Sequence, residues 1–245
     1  MDKQSTAYTF LFALAVCAIC SFTLAAVSEG LRPKKEMNAA LDVKKNILKA
    51  VVLKEPIGPK AKGEEILEVF KEKIEEVVID ESGEVLDWIK SGEAKKERNK
   101  HLLYIYREED EIIAYCFPVE GKGLWSTLYG YLALEPDGIT VRGITFYKHG
   151  ETPGLGAEIE QAWFQDNFKG KKVWDAEKKK AMPIKVIKGK VKDKIFASQR
   201  PYSVDGISGA TMTSQGVTDL LAEWNNIYEP FLNKIRNFPE IHRGD

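Results

Sequence analysis

Residues 205–214, DGISGATMTS, hold the side chains best suited to chemistry. Ser208, Gly209 and Ala210 run directly into Thr211, and two more hydroxyls follow at Thr213 and Ser214. From Gln215 onward, Val217, Leu220, Leu221, Trp224, Tyr228 and Phe231 recur at helical spacing. The pattern therefore predicts a tight turn and then a helix, with the hydroxyls at the helix start. Such a start presents unpaired N–H groups and the positive end of the helix dipole, which together favour a phosphate. Gly206 and Gly209 permit positive φ and close approach of a ligand to the backbone. The residue types alone also fit an ordinary helix start capped by Thr213 or Ser214. A third reading is a hydrolase nucleophile elbow around Ser208. That motif needs glycine where Ala210 stands, and no strongly apolar strand leads into it.

Two further stretches bear on a ligand. Residues 149–159, HGETPGLGAEI, place Pro153, Gly154 and Gly156 in a bare loop that opens a predicted helix over residues 157–168. The glycine spacing does not make a dinucleotide fingerprint. His149 reads as a surface or structural residue of that loop, with a redox role as the alternative. Residues 121–134, GKGLWSTLYGYLAL, combine glycines and aromatics in the manner of a packed strand with a bend.

Other chemistries are poorly supplied. Cys17 and Cys20 sit in an apolar run and only Cys116 lies in the body of the chain, so neither a disulfide framework nor a thiolate metal cluster is expected. His101, His149 and His242 are too scattered for a metal site. With 36 basic against 37 acidic residues, no electrostatic footprint for nucleic acid exists. The basic run at residues 188–194 reads as a solvated hairpin or a partner contact.

The elements that must position these residues follow from pattern. Residues 7–27 contain no charge, enough to cross the hydrocarbon as a helix; they are read as a retained anchor rather than a cleaved signal peptide. Arg32, Lys34 and Lys35 just beyond it would by charge alone hold the rest of the chain in the cytoplasm. Asn38 can cap a second helix carrying Leu41, Val43, Ile47, Leu48 and Val51. Pro56, Gly58 and Pro59 break the chain. Residues 64–80 predict an amphipathic helix with Ile66, Leu67, Phe70, Ile74 and Val77 on one face. Residues 93–100 are highly charged and read as a surface connection. Short β-branched and aromatic runs at 101–106, 112–117, 130–134 and 139–147 then predict antiparallel strands, with turns at 107–111, 118–123 and 135–138. The class is α+β, a sheet flanked by helices. The expected organisation is a tail at 1–6, the anchor at 7–27, a helical segment and linker at 28–100, the main domain at 101–235 and a tail at 236–245.

The segment D-x-x-S/T-G-A-T, met by Asp205, Ser208, Gly209, Ala210 and Thr211, resembles the flavinylation motif of FMN-binding domains. The GLRP, NAAL and KKNIL runs at residues 30–33, 38–41 and 44–48 and the ETPGLG run at 151–156 resemble, more narrowly, the C subunits of the sodium-translocating NADH:quinone reductases. The G subunit of the related Rnf complex shares the flavin motif and is the alternative. The resemblance implies FMN joined through its phosphate to Thr211 by a flavin transferase. It places Asp205, Gly206, Ser208, Gly209, Ala210, Thr213, Glu151, Thr152, Gly154, Leu155, Gly156 and Trp125 around the cofactor. It further implies an extracytoplasmic, periplasmic domain anchored in membrane lipid. That domain would relay electrons with the other subunits of an NADH-oxidising, sodium-exporting complex and have no turnover alone. The competing readings are a membrane-tethered esterase using Ser208 and a non-catalytic assembly subunit.

Overall fold

A computed structural model describes residues 6–52, 63–89 and 99–237. The chain divides into two units, residues 1–42 and 43–245. The first unit is helical. Its helix belongs to α1, Thr6–Val51, whose apolar part is long enough to cross a membrane and has none of its side chains buried by protein. Phe10, Phe12, Leu14, Ile19, Phe22 and Leu24 are all exposed, the arrangement lipid would cover. The two expected helices are one: α1 passes through Pro33 without a break, so Asn38 lies mid-helix and caps nothing. Arg32 bridges the proline by pairing with Glu29 at 3.4 Å and Glu36 at 2.9 Å, and Glu, Met, Ala, Leu and Lys on the C-terminal side are good helix formers.

The second unit is built on a six-stranded antiparallel sheet in the order β2-β1-β3-β4-β5-β6. The strands are β1 Ile74–Asp80, β2 Val85–Ile89, β3 Lys100–Glu108, β4 Glu111–Lys122, β5 Thr127–Leu134 and β6 Val141–Lys148. Preceding them, α2 spans Gly63–Lys73. The remainder comprises α3 Ala162–Gln165, β7 Trp174–Asp175, β8 Lys180–Ala181, β9 Lys185–Val186, α4 Val191–Lys194, β10 Ser203–Val204 and the long α5, Thr211–Asn237.

One sheet face is covered by α5. Along β4, Tyr115 and Phe117 meet its rings: Phe117 lies 5.4 Å from Trp224, 4.8 Å from Tyr228 and 6.3 Å from Phe231, and Tyr115 lies 5.9 Å from Phe231. Glycines let helix and strand approach closely. A Cβ on Gly121 would fall 2.7 Å from Leu220 Cβ, and one on Gly216 2.5 Å from the Lys122 carbonyl oxygen. On β6, Gly143 faces the end of α1, where a Cβ would lie 2.6 Å from the Ala50 carbonyl oxygen. Thr145 Oγ1 donates to the Asn46 carbonyl at 3.3 Å, and Arg142 caps α1 by donating to the Val51 carbonyl. Ile47, Leu48, Ala50 and Val51 are thereby buried.

The helix expected over residues 64–80 stops at Lys73, and residues 74–80 form β1, an inner strand paired to β2 and β3. Four consecutive residues of β1 are buried, so it lacks the alternation of a half-exposed strand. Its β-branched Val77, Val78 and Ile79 suit a pleated surface. The sheet thus begins at Ile74, ahead of the expected domain start at residue 101, and β2 was not foreseen. The turn expected at 118–123 is largely strand, because β4 runs on to Lys122. Pro118 is tolerated there since pairing of β4 with β3 ends at Cys116. The Tyr228 hydroxyl instead donates to the Leu102 carbonyl at 2.8 Å. A cavity of about 310 Å³ opens at this gap, lined by His101, Tyr104, Tyr129, Tyr131 and Tyr228 among others.

The single helix expected over 157–168 is three short turns, Gly156–Glu160, α3 and Asp166–Phe168, interrupted where Gln161 is extended. The basic run at 188–194 ends in α4 rather than a hairpin. The proline–glycine break at 56–59 and most of the charged connection at 93–100 lie outside the described residues. Because Phe117 is fully buried among three α5 rings, Phe117→Ala is expected to destabilise the domain by about 3–5 kcal/mol, measured as a lowered midpoint of chemical denaturation.

Candidate functional site

The turn before α5 is held from beneath. Asp205 Oδ1 accepts the Val191 N–H at 2.8 Å and Oδ2 pairs with Lys190 Nζ at 2.9 Å. Burial pushes the Asp205 carboxyl up, but the Val191 N–H and the Lys190 ammonium outweigh it and leave it below the ordinary range. The Gly206 N–H donates to the Gly189 carbonyl at 3.0 Å, and a Cβ there would collide with the Ile187 carbonyl oxygen at 2.0 Å. Gly209 takes φ +75°, which glycine adopts without strain. Ala210 is buried, and its N–H donates to the Ile207 carbonyl at 3.2 Å.

The first bond of α5 runs from Ser214 N to the Ala210 carbonyl at 2.9 Å. Thr211 is therefore the first residue of the helix, within the turn whose N–H groups lack intrahelical partners. Exposure separates the hydroxyls of the motif. Thr213 and Ser214 are buried, while Ser208 and Thr211 are exposed. The capping role considered for Thr213 and Ser214 is not what they do, since the helix already begins at Thr211 and Thr213 points to another segment.

That segment is the loop after β6. Glu151 is buried, and its carboxylate joins three stretches of chain. Oε2 accepts the Thr213 hydroxyl at 2.5 Å, and Oε1 accepts the Trp125 N–H at 2.9 Å and the Ser126 N–H at 3.4 Å. Burial raises the carboxyl, but the Thr213 hydroxyl and the Trp125, Ser126 and Leu124 N–H groups outweigh it, so the group titrates below its ordinary value. Ser126, which sequence reasoning missed, accepts the Gly150 N–H on its Oγ at 2.5 Å. Thr152, Gly154 and Leu155 are exposed and Gly156 is buried. A Cβ on Gly209 would lie 2.8 Å from Leu155 Cδ2, so this loop touches the turn before α5. The Trp125 side chain is exposed.

His149 is not a surface residue. Its side chain is 6% exposed, its Nδ1 accepts the Glu151 N–H at 3.1 Å, and its Nε2 lies 2.8 Å from Glu160 Oε1. Both ring nitrogens thus face other partners than Ser208, and no histidine hydrogen-bonds Ser208 among the described residues. The 310 Å³ cavity is lined by none of the residues of this site.

The three stretches singled out by sequence therefore converge, in two layers. Asp205, Gly206, Glu151, Thr213 and Gly156 turn inward and build the scaffold. Thr211, Ser208, Gly209, Thr152, Gly154, Leu155 and Trp125 form the outer surface. The residues fit FMN: an exposed hydroxyl begins a helix, small residues leave it open, Gly154 at φ +74° has open space where a Cβ would be, and Leu124, Trp125, Leu155 and Met212 expose apolar surface.

The fold and this arrangement define an FMN-binding domain carried behind a helix of membrane-spanning length, and the model of the FMN-binding domain family matches residues 123–226. The chain is 33% identical to the C subunit of the Na(+)-translocating NADH-quinone reductase of Yersinia pestis, over 96% of this chain and 95% of that protein. It is 36% identical to the same subunit of Neisseria meningitidis serogroup B, over 96% of each. Among solved structures, that of the C subunit from Parabacteroides distasonis superposes with a TM-score of 0.68 at 30% identity, covering 82% of this chain and 96% of that one. Shewanella oneidensis NqrC gives 0.66 at 25% identity, covering 81% and 98%. The chain belongs to the family of C subunits of the Na(+)-translocating NADH-quinone reductases.

A carboxyl held below its unfolded value of 4.5 contributes stability that is complete above that value and is lost as pH falls through the lower folded one. Thermal unfolding of wild type and Glu151→Gln is therefore expected to differ at neutral pH and to converge in acid. A gap that stays constant across the acid range would show that the Glu151 charge is not its source.

Proposed function

We propose that this chain carries one FMN, linked through its phosphate to Thr211 Oγ, and passes electrons between other subunits of a sodium-translocating NADH:quinone reductase. The supporting observation is the sorting of the motif hydroxyls. Thr211 is exposed at the start of α5, whereas Thr213 is committed to Glu151 and Ser214 is buried. When bound, FMN supplies redox chemistry that no side chain of the site provides. The chain's own part is to hold and orient. First-turn N–H groups of α5 would face the phosphate; Ser208, Gly209 and Ala210 keep the approach to Thr211 open; Trp125, Leu155 and the bare backbone at Gly154 would flank the ring.

Attachment requires an activated flavin. Thr211 Oγ attacks the flavin-side phosphorus of FAD, the new P–O bond replaces the pyrophosphate bond, AMP leaves, and the hydroxyl proton passes to a base on a flavin transferase. No base of this chain hydrogen-bonds Thr211 among the described residues, which supports assigning that proton transfer to a transferase. Thr211→Ala is expected to abolish in-gel flavin fluorescence in a folded protein, and Ser208→Ala to retain it. Covalent flavin in the Thr211 variant would overturn the assignment.

We further propose that α1 is a single-pass anchor in membrane lipid with the domain on the periplasmic side. Arg32, Lys34 and Lys35 favour the opposite orientation, but they are few beside the large domain that follows, and transfer to this motif occurs outside the cytoplasm in the family it resembles. Alkaline phosphatase fused after Asp245 is expected to be active. A stable but inactive fusion, with an active cytoplasmic reporter at the same place, would show that the local charges prevail.

A further inference from the structure

Glu151 was expected among the flavin contacts, yet its carboxylate is spent inside the protein. It is 5% exposed and accepts hydrogen bonds from Thr213 Oγ1, Trp125 N and Ser126 N. Two glycines of the site give way to it. A Cβ on Gly123 would fall 2.6 Å from Glu151 Oε1; one on Gly156 would fall 2.8 Å from Oε2 and 2.5 Å from Thr213 Oγ1. These bare positions, in the GKG and ETPGLG runs, make room for a carboxylate and its hydroxyl partner. The hydrogen-bond donors to Glu151 are all neutral: backbone N–H groups and a threonine. Its charge is solvated by dipoles, and among the described residues no cation pairs with it.

We propose that Glu151 is a positioning residue of the flavin site, whose buried negative charge holds residues 123–126, 151–156 and the first turn of α5 in register and makes the bound cofactor harder to reduce. The inference rests on the reading that Thr211 carries FMN. The holding role follows from the hydrogen bonds. The electrostatic role follows because a charge removed from solvent is weakly screened, and reduction brings electrons toward it. Glutamine has the same shape and separates the two. Its oxygen still accepts from the Trp125 N–H, while its amide donates to Thr213 Oγ1, which reverses from donor to acceptor. Glu151→Gln thus removes the charge and keeps the connections.

The test uses the full chain, coexpressed with a flavin transferase and purified in detergent. Glu151→Gln is expected to carry covalent flavin and to have a more positive midpoint potential by spectroelectrochemical titration. The shift in the oxidised-to-reduced ratio at fixed potential is on the order of tenfold, or ~30 mV for a two-electron couple. Glu151→Asp retains the charge but is a methylene short. Its potential is expected to return toward wild type, while residues 149–156 of the unflavinylated protein are cut faster by protease. A potential in Glu151→Gln equal to or more negative than wild type overturns the electrostatic role, and unchanged proteolysis in Glu151→Asp overturns the holding role. Should Glu151→Gln not fold, Thr213→Val replaces it: it deletes a neutral donor and leaves the charge, so its potential must stay at or below wild type, and a rise overturns the proposal. Thr211→Ala run alongside keeps the readings apart, since covalent flavin persisting there defeats the attachment site whatever the Glu151 variants do.

Discussion

The seating of α5 on β4 is the constraint on which the site depends. Leu220 and the Lys122 backbone come so close to Gly121 and Gly216 that a methyl group at either glycine would collide. This contact places the first turn of α5 beside residues 123–126, where β4 gives way to β5. Only then can Thr213 reach Glu151, 62 positions earlier in the chain. The ring cluster of Phe117, Trp224, Tyr228 and Phe231 supplies the apolar burial that fastens the helix. The glycines decide how near it lies, and so whether two distant loops meet.

The layering of the site suits the covalent attachment proposed for it. A flavin held as proposed would not need a deep enclosing pocket to prevent its loss, and Thr211 is exposed. Rigidity lies underneath: Asp205 fixes the turn to Lys190 and Val191, and Glu151 fixes the other two segments. An exposed redox group on a braced platform can meet protein partners without a lid having to move.

What could be read in the sequence depended on whether the cause was local. The DGISGAT turn and the helix after it were legible because glycine conformation and helical periodicity act within a few residues. The antiparallel strands from β3 to β6 were legible for the same reason, since β-branched runs alternate with turn residues. β1 was hidden because Ile66, Phe70, Ile74 and Val77 recur at helical spacing, and a strand paired on both edges and buried on both faces shows no alternation. Glu151 is the clearest case at the site. Its place in the ETPGLG run marks it as belonging there, but only the long-range meeting with Thr213 and Trp125 shows that its carboxylate points inward. The burial of His149 was hidden for the same reason, its partner Glu160 lying across a helical turn whose break at Gln161 no periodicity announces.

The end of α1 matters to anyone trimming the chain into a water-soluble form. The apolar stretch invites a cut soon after residue 27, and the charged stem beyond it looks dispensable. Yet Ile47, Leu48, Ala50 and Val51 are part of the folded body, and Arg142 of β6 has its bond to the Val51 carbonyl. A fragment starting after Val51 would lay bare the glycine-floored face of β6 and leave Arg142 without that acceptor, whereas one starting before Val43 removes the membrane-length stretch and keeps the floor covered. The stretch from Val43 to Val51 is a piece of the domain, spelled in the same helix as its tether.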